Sequence, residues 1–312
     1  MPQYKAPLRD MQFLIHEVFN AGQHYQQLGY TDVNLDLIDA ILTEGARFTE
    51  NELAPLRTLG DEHGAKWKDG VVTTPPGFKD AFNAFRDNGW ATLAIDPAWG
   101  GQGLPHSLNI IFHEMCFTAN VAWGAIVTLT QGAIRAIEAH ASDELKALYL
   151  PRLGSIEWTG TMCLTEPHAG SDVGLVKTKA EPQADGTYAI SGTKIFITQG
   201  ENDYADNIVH LVLARLPGAP KGPKGISLFL VPKFLPDASG QPGARNRVSC
   251  ASIEKKMGLK GSPTCVLNFD GAQGWLVGQP GAGLACMFTM MNAARLDVGI
   301  EGLAAAELSF QG

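Results

Sequence analysis

The sequence predicts an α+β protein of several domains: an N-terminal helical domain, a middle antiparallel β-barrel or sandwich, and the beginning of a second helical region. Three observations support this prediction. Apolar side chains recur at helical spacing through the first 150 residues, β-branched and apolar runs alternate with turn residues after Trp158, and helical spacing returns from about Gly281. A chain of 312 residues also exceeds one ordinary core, so roughly two domains are expected.

The N-terminal region is predicted to be helical because its apolar residues lie three or four positions apart. Ser142 precedes a further helix, which its hydroxyl can cap. The apolar stripes are Leu8, Met11, Ile15 and Val18; Leu35, Ile38 and Leu42; Phe78, Phe82 and Phe85; and Leu108, Ile111, Phe112 and Met115.

The β-region is predicted from four runs at 187–198, 207–216, 225–231 and 264–269. Turn residues bound these runs, among them Asp185-Gly186, Pro217-Gly218 and Asp270-Gly271. No long helical pattern alternates with the strands, which argues against a doubly wound parallel sheet and favours an antiparallel barrel or sandwich.

Composition excludes several classes of function. Thirty-two acidic and 24 basic residues give a net charge of −8, whereas a nucleic-acid binder needs a basic face. The sequence lacks a signal-peptide pattern and an uninterrupted apolar run of membrane-spanning length, so we expect a cytoplasmic protein without a transmembrane segment. The five cysteines are odd in number and no pair has CxxC spacing, so we expect neither a disulfide framework nor a metal site.

Two segments are candidates for a ligand site. Residues 162–172 suit either a tight turn with capping Ser and Asp side chains, or a loop whose amides and hydroxyls face a polar or phosphorylated ligand. In the run from Lys194 to Gly200, alternate residues of a strand share a face, so Phe196 and Thr198 are expected to point the same way. A ring beside a hydroxyl suits the face and edge of a flavin, and it suits core packing equally well.

With these segments, the sequence resembles the acyl-CoA dehydrogenase family, flavoenzymes that introduce an α,β double bond into a thioester. The resemblance covers nearly the whole chain, and its N-terminus resembles the subgroup with an extra N-terminal segment. The motifs that carry it, in chain order, are Trp99 to Leu104, Leu150-Pro151, Thr165-Glu166-Pro167 to Gly170-Ser171-Asp172, Lys194 to Gly200, Lys256-Met257-Gly258, Gly261-Ser262 and Asn292 to Leu296.

The resemblance implies an N-terminal extension at 1–35, an N-terminal helical domain at 36–158, a middle β-domain at 159–275 and the beginning of a C-terminal helical domain at 276–312. It implies FAD as cofactor, an acyl-CoA substrate, an electron-transfer flavoprotein as partner and a homo-oligomer. The implied cofactor-binding residues are Met162, Leu164, Thr165, Gly170, Ser171, Phe196 and Thr198, and the implied substrate-binding residues are Ser171, Asn292 and Arg295. Phe196 departs from the tryptophan common at its position.

No catalytic base is nominated within the chain. Some family members place a carboxylate at the position of Ala294, which cannot accept a proton, and most others carry it on a later helix, expected beyond Gly312. The chain is therefore expected to be inactive alone. Two alternatives stay open: a flavin-dependent oxidase of similar architecture, such as an acyl-CoA or nitroalkane oxidase, and a flavin-less module that binds acyl-CoA or supports assembly.

Overall fold

The structure, a computed structural model, describes residues 4–312 in a helical N-terminal region, a β-region and one long C-terminal helix. The helices are α1 Leu8–Phe13, α2 Ala21–Gln27, α3 Leu35–Phe48, α4 Leu56–His63, α5 Phe78–Asp87, α6 His106–His140, α7 Asp143–Gly154 and α8 Gly283–Gln311. The strands are β1 Lys66–Lys68, β2 Val71–Thr73, β3 Trp158–Cys163, β4 Lys179–Pro182, β5 Tyr188–Thr198, β6 Asn207–Arg215, β7 Ile226–Pro232, β8 Phe234–Pro236, β9 Pro242–Arg245, β10 Val248–Ile253 and β11 Thr264–Val277.

The predicted N-terminal helices are confirmed, and most residues of their apolar stripes are buried or half-buried, although Val18 and Leu35 are exposed. Phe78, Phe82 and Phe85 of α5 are fully buried. The Ser142 side chain caps α7 by accepting a hydrogen bond from the amide of Leu145 at 3.4 Å. The short hairpin of β1 and β2 was not predicted, because each strand has only three residues.

Helix α6 is folded back on itself at Asn120, whose backbone angles are not helical. Asn109 donates a hydrogen bond to Gln131 at 3.0 Å, although these residues would lie about 33 Å apart along a straight helix. By length and composition α6 could cross a membrane, but 72% of its most apolar window is buried inside the protein. Its apolar character is therefore explained by its place in the core.

The β-region closes into a barrel, as predicted. Strands β5, β4 and β6 follow β11 in order, and β7 pairs with both β6 and β11, which completes the circuit. Most pairings are antiparallel, but β4 meets β6 in parallel at Lys179 and Arg215 within the circuit. Strand β3 also pairs in parallel with β6, outside the circuit. A fully buried apolar core fills the interior, including Val212, Phe229 and Phe269.

The prediction that the last strand ends at Phe269 was wrong, because β11 continues to Val277. Asp270 and Gly271 form an irregularity in the pairing with β5, where the register shifts, and Gly271 takes a φ of +75°. The residues that indicated a turn therefore belong to a β-bulge, which bends the strand without ending it.

Helix α8 packs against both arms of α6 and against the barrel. A Cβ on Gly132 of α6 would lie 2.9 Å from Met290 of α8, and one on Gly283 would collide with the backbone of β7 at Ser227. Glycines at these two points let the helix approach its neighbours closely. Helix α8 therefore joins the helical region to the β-region.

Candidate functional site

The two candidate segments are neighbours in the structure. Residues 164–172 follow the end of β3, and the amide of Ile195 in β5 donates a hydrogen bond to the carbonyl of Thr165 at 2.9 Å. Gly170 lies close to the same threonine, since a Cβ built on it would be 3.7 Å from Thr165 Cγ2. The loop and the end of β5 therefore form one surface.

A β-bulge shapes the β5 side of this surface. Ile197 pairs with Cys265 and Lys194 pairs with Leu267, so one residue on β11 faces two on β5 between these pairs. Phe196 lies in the bulge with a φ of +59°, an unusual conformation for a bulky side chain, and its ring is 58% exposed. The expectation of simple alternation needs correction here, because Lys194 is buried although it lies two residues before Phe196.

The hydroxyl groups of Thr165 and Thr198 are available to a ligand. Both residues are half-buried, and neither hydroxyl has a hydrogen-bond partner within residues 4–312. The half-buried side chains of Met162 and Leu164 pack on the core beside them. Two free hydroxyls, apolar side chains and an exposed ring fit a large, planar, hydrogen-bonding ligand such as a flavin.

Glu166, although it belongs to the loop, faces inward. It accepts hydrogen bonds from the amide of Lys177 at 2.7 Å, from the amide and hydroxyl of Thr178 at 3.0 and 2.6 Å, and from Lys194 Nζ at 2.8 Å. Burial alone would raise the pKa of this carboxyl, but the Lys194 ammonium and these hydrogen bonds hold it below its usual value. A buried carboxylate with four donors is unsuited to removing a proton from a substrate.

A cavity of about 860 Å³ opens next to the loop, between residues 172–181 and 215–223. The exposed lysines Lys177, Lys179 and Lys221 lie at its rim, and Leu175 and Leu216 give it an apolar wall. Arg215 also lines it, but this guanidinium donates to the carbonyls of residues 174, 176, 220 and 222 and so holds the walls together. Sequence reasoning did not find this cavity, because the lysines come from separate segments.

The predicted substrate residues Asn292 and Arg295 lie on the exposed side of α8. Arg295 donates a hydrogen bond to Asn292 at 2.8 Å, and its guanidinium stacks on the ring of Phe288. Met291, which directly precedes Asn292, packs on the same core as Met162. Gly170 and Ser171, in the loop that follows β3, are exposed. Within residues 4–312, no three His, Cys, Asp or Glu side chains converge on a metal site, and all five cysteines are free.

Comparison with known proteins identifies the family. The model of the acyl-CoA dehydrogenase N-terminal domain matches residues 38–157, and that of the middle domain matches 161–272. The chain is 46% identical to a 3-methylmercaptopropionyl-CoA dehydrogenase of Ruegeria pomeroyi over 99% of its own length and 52% of the relative. It spans about half the length of the curated relatives it matches.

Solved structures share the fold. A structure described as the electron transferring flavoprotein of Acidaminococcus fermentans matches with a TM-score of 0.71 at 25% identity, over 87% of this chain and 65% of that one. An acyl-CoA dehydrogenase complexed with FAD from Bacillus anthracis matches with a TM-score of 0.68 at 26% identity, over 86% of this chain and 43% of that one. The fold and both matched domains agree, and the chain belongs to the acyl-CoA dehydrogenase family.

Proposed function

We propose that this chain forms the flavin-binding and acyl-CoA-binding part of a dehydrogenase that converts an acyl-CoA thioester to the trans-2-enoyl-CoA. The observation that carries the proposal is the surface between the ends of β3 and β5, which includes the unpartnered hydroxyls of Thr165 and Thr198 and the exposed side chain of Phe196. Family membership supports FAD as the ligand of this surface. FAD, when bound, accepts the hydride that leaves the β-carbon of the substrate.

The residues of the chain would bind and orient the two ligands. Thr165 and Thr198 would donate hydrogen bonds to the polar edge of the flavin, and Phe196 would stack on its face. Met162 and Leu164 would exclude water beside the ring. Hydrogen-bond donors at that edge stabilise the negative charge that arises on reduction, so placement of the two hydroxyls supports the redox step.

The cavity beside the loop is suited to the phosphorylated arm of CoA. Lys177, Lys179 and Lys221 supply positive charge, and Leu216 lies on the apolar wall. Ser171, with its exposed side chain at the loop tip, would contact the arm between this cavity and the flavin. Asn292 and Arg295 would bind the same substrate from α8.

We assign no base within the chain. The carboxylate of Glu166 is occupied by its hydrogen bonds with Lys194 and the loop. The buried Asp297 faces α6, 3.9 Å from His113. Four expectations stay predictions: a catalytic base on a further helix, an electron-transfer flavoprotein as electron acceptor, a homo-oligomer and a cytoplasmic location. The exposed Phe196 ring supports an acceptor that approaches the flavin from this side.

Titration of the purified chain with FAD tests the proposal. We expect the flavin fluorescence to be quenched on binding, and we expect CoA binding by calorimetry to weaken when Lys177 and Lys179 are both replaced by Gln. A chain that binds CoA but no FAD would support the flavin-less module instead. Oxygen consumption by the complete protein during turnover would identify an oxidase.

A further inference from the structure

The β-region contains a buried ion pair directly beneath the proposed flavin surface. Lys194 Nζ lies 2.8 Å from Glu166 Oε1, and the two side chains are 0% and 3% exposed. The ammonium also donates a hydrogen bond to the carbonyl of Leu164 at 2.8 Å. Burying two charges is unfavourable unless both are well satisfied, and here each has several partners.

The partners of this pair lie at both ends of the loop. The loop begins at Leu164, whose carbonyl accepts a hydrogen bond from Lys194. It ends at Lys177 and Thr178, which donate hydrogen bonds to Glu166. One ion pair therefore fastens both ends of the segment 164–178 to strand β5.

The same pair lies next to the strained residue of the bulge. Ile195 follows Lys194 in the chain and donates its amide hydrogen to Thr165, and Phe196 follows with its φ of +59°. A bulky residue keeps such a conformation only where its surroundings determine it. Here the determining contacts are the anchored side chain of Lys194 and the Ile195–Thr165 bond.

We propose that Lys194 and Glu166 are positioning residues that hold Thr165 and Phe196 in the arrangement that receives the flavin. This inference rests on the proposed function. The pair does not touch the ligand surface; it acts through the loop and the bulge. An ion pair that served the barrel alone would affect folding without a specific effect on this surface.

The barrel offers a matched control. Lys233 forms a second largely buried ion pair, with Glu201, and its side chain is 12% exposed. Its side chain contacts Glu201 and Phe234, and Lys233 makes no hydrogen bond or ion pair with residues 164–178. Glu201 also pairs with Arg245, at 3.4 Å. The variants Lys194→Met and Lys233→Met therefore remove the same charge from two ion pairs of one domain.

The experiment has two measurements on the whole chain. Hydrogen–deuterium exchange without ligand reports on the amides of Lys177, Thr178 and Ile195, and fluorescence titration gives the dissociation constant for FAD. We expect Lys194→Met to accelerate exchange at these amides by at least tenfold and to weaken FAD binding by a similar factor. We expect Lys233→Met to lower the thermal midpoint but to leave both quantities within twofold.

The double variant Lys194→Met/Glu166→Gln distinguishes positioning from an unpaired charge. It contains no unpaired buried charge, so its thermal midpoint should recover towards that of the wild type, while FAD binding stays weak because the loop has lost its anchor. Equal exchange in Lys194→Met and Lys233→Met would overturn the inference, whether or not FAD binds. Failure of the wild-type chain to bind FAD would instead contradict the proposed function, and the exchange data would still decide the role of the pair.

Discussion

At the scale of single residues, Thr198 provides the sharpest test of the flavin surface. Thr198→Val keeps the shape of the side chain and removes a hydroxyl that has no partner within residues 4–312. Loss of a hydrogen bond to a bound ligand costs about 1–3 kcal/mol, so we expect about tenfold weaker FAD binding. The exposed strand residue Thr73 is the control, since Thr73→Val should bind FAD like the wild type. Equal affinities in both variants, measured by fluorescence titration, would disprove the role of Thr198.

Arg295 is the residue for testing substrate recognition. Its guanidinium is exposed and oriented by Asn292 and Phe288, so it is available to a phosphate group. Hydrogen bonds to charged groups contribute about 1.5–3 kcal/mol, so we expect Arg295→Ala to weaken acyl-CoA binding at least tenfold by calorimetry. Arg247→Ala, at an exposed position on the barrel, should have no effect. Unchanged affinity in Arg295→Ala would remove this residue from the site.

The sequence predicts that Phe196 and Thr198 share a face, which stays a prediction, and it gives no sign of the part played by Lys194. Strict alternation places residues 194, 196 and 198 on one face. The bulge opposite Val266 turns Lys194 into the interior and Phe196 outward. The groups that hold Lys194 and Ile195 in place belong to Leu164, Thr165 and Glu166, in the loop after β3, so the local pattern gives no sign of them. Likewise, the inward direction of Glu166 depends on Lys177 and Thr178, which meet it only after folding.

At the scale of secondary-structure elements, the contact between α6 and β3 depends on a glycine. A Cβ on Gly160 would lie 2.5 Å from the Cβ of Ala133. We expect Gly160→Ala to separate the helix from the strand and to lower the free energy of unfolding by about 1–3 kcal/mol. Gly299, within α8, has no atom within 4 Å of such a Cβ, so Gly299→Ala should raise stability by up to about 1 kcal/mol. Chemical denaturation measures the free energy of unfolding of both variants. Equal effects of Gly160→Ala and Gly299→Ala would contradict the close contact between α6 and β3.

Element types could be predicted better than element connections. Residues with 3.6-residue periodicity formed helices, and those with β-branched runs formed strands, because burial of one face decides both. Two features depend on a single residue within a continuous pattern: Asn120 folds α6 back, and Gly271 lets β11 continue. In the sequence, Asn120 is only one of several polar and glycine interruptions of the apolar stretch 119–134, and Asp270-Gly271 indicated a turn, so the local pattern predicted neither outcome.

At the scale of the whole molecule, the buried His210 and the half-buried His106 make stability depend on pH. Burial, and then the nearby Lys233 and Arg245, lower the pKa of His210 to about 3; burial and Arg135 lower that of His106 to about 4. Both stay neutral in the folded protein where the unfolded chain, with a pKa near 6.5, takes up protons. Two carboxyls act in the opposite direction, since burial, followed by a neighbouring carboxylate, raises the pKa of Glu114 and Glu301.

The histidine effect has a definite sign and window. A depressed folded-state pKa gives stability that is complete above pH 6.5 and is lost as the pH falls towards the folded-state value. From pH 7 to pH 5, His210 alone should reduce the free energy of unfolding by about 2 kcal/mol, and His106 adds to the loss. Protonation of Glu114 and Glu301 offsets part of this loss, so a variant is needed to isolate the contribution of His210.

The variant His210→Asn keeps a polar partner for Thr161, whose hydroxyl lies 2.7 Å from His210 Nδ1. It should make the free energy of unfolding depend less steeply on pH. His63→Asn, at an exposed position, should leave it unchanged. Denaturation of the three proteins at pH 7, 6 and 5 decides the matter, and an equally steep loss in His210→Asn would show that the neutral buried imidazole is not its source.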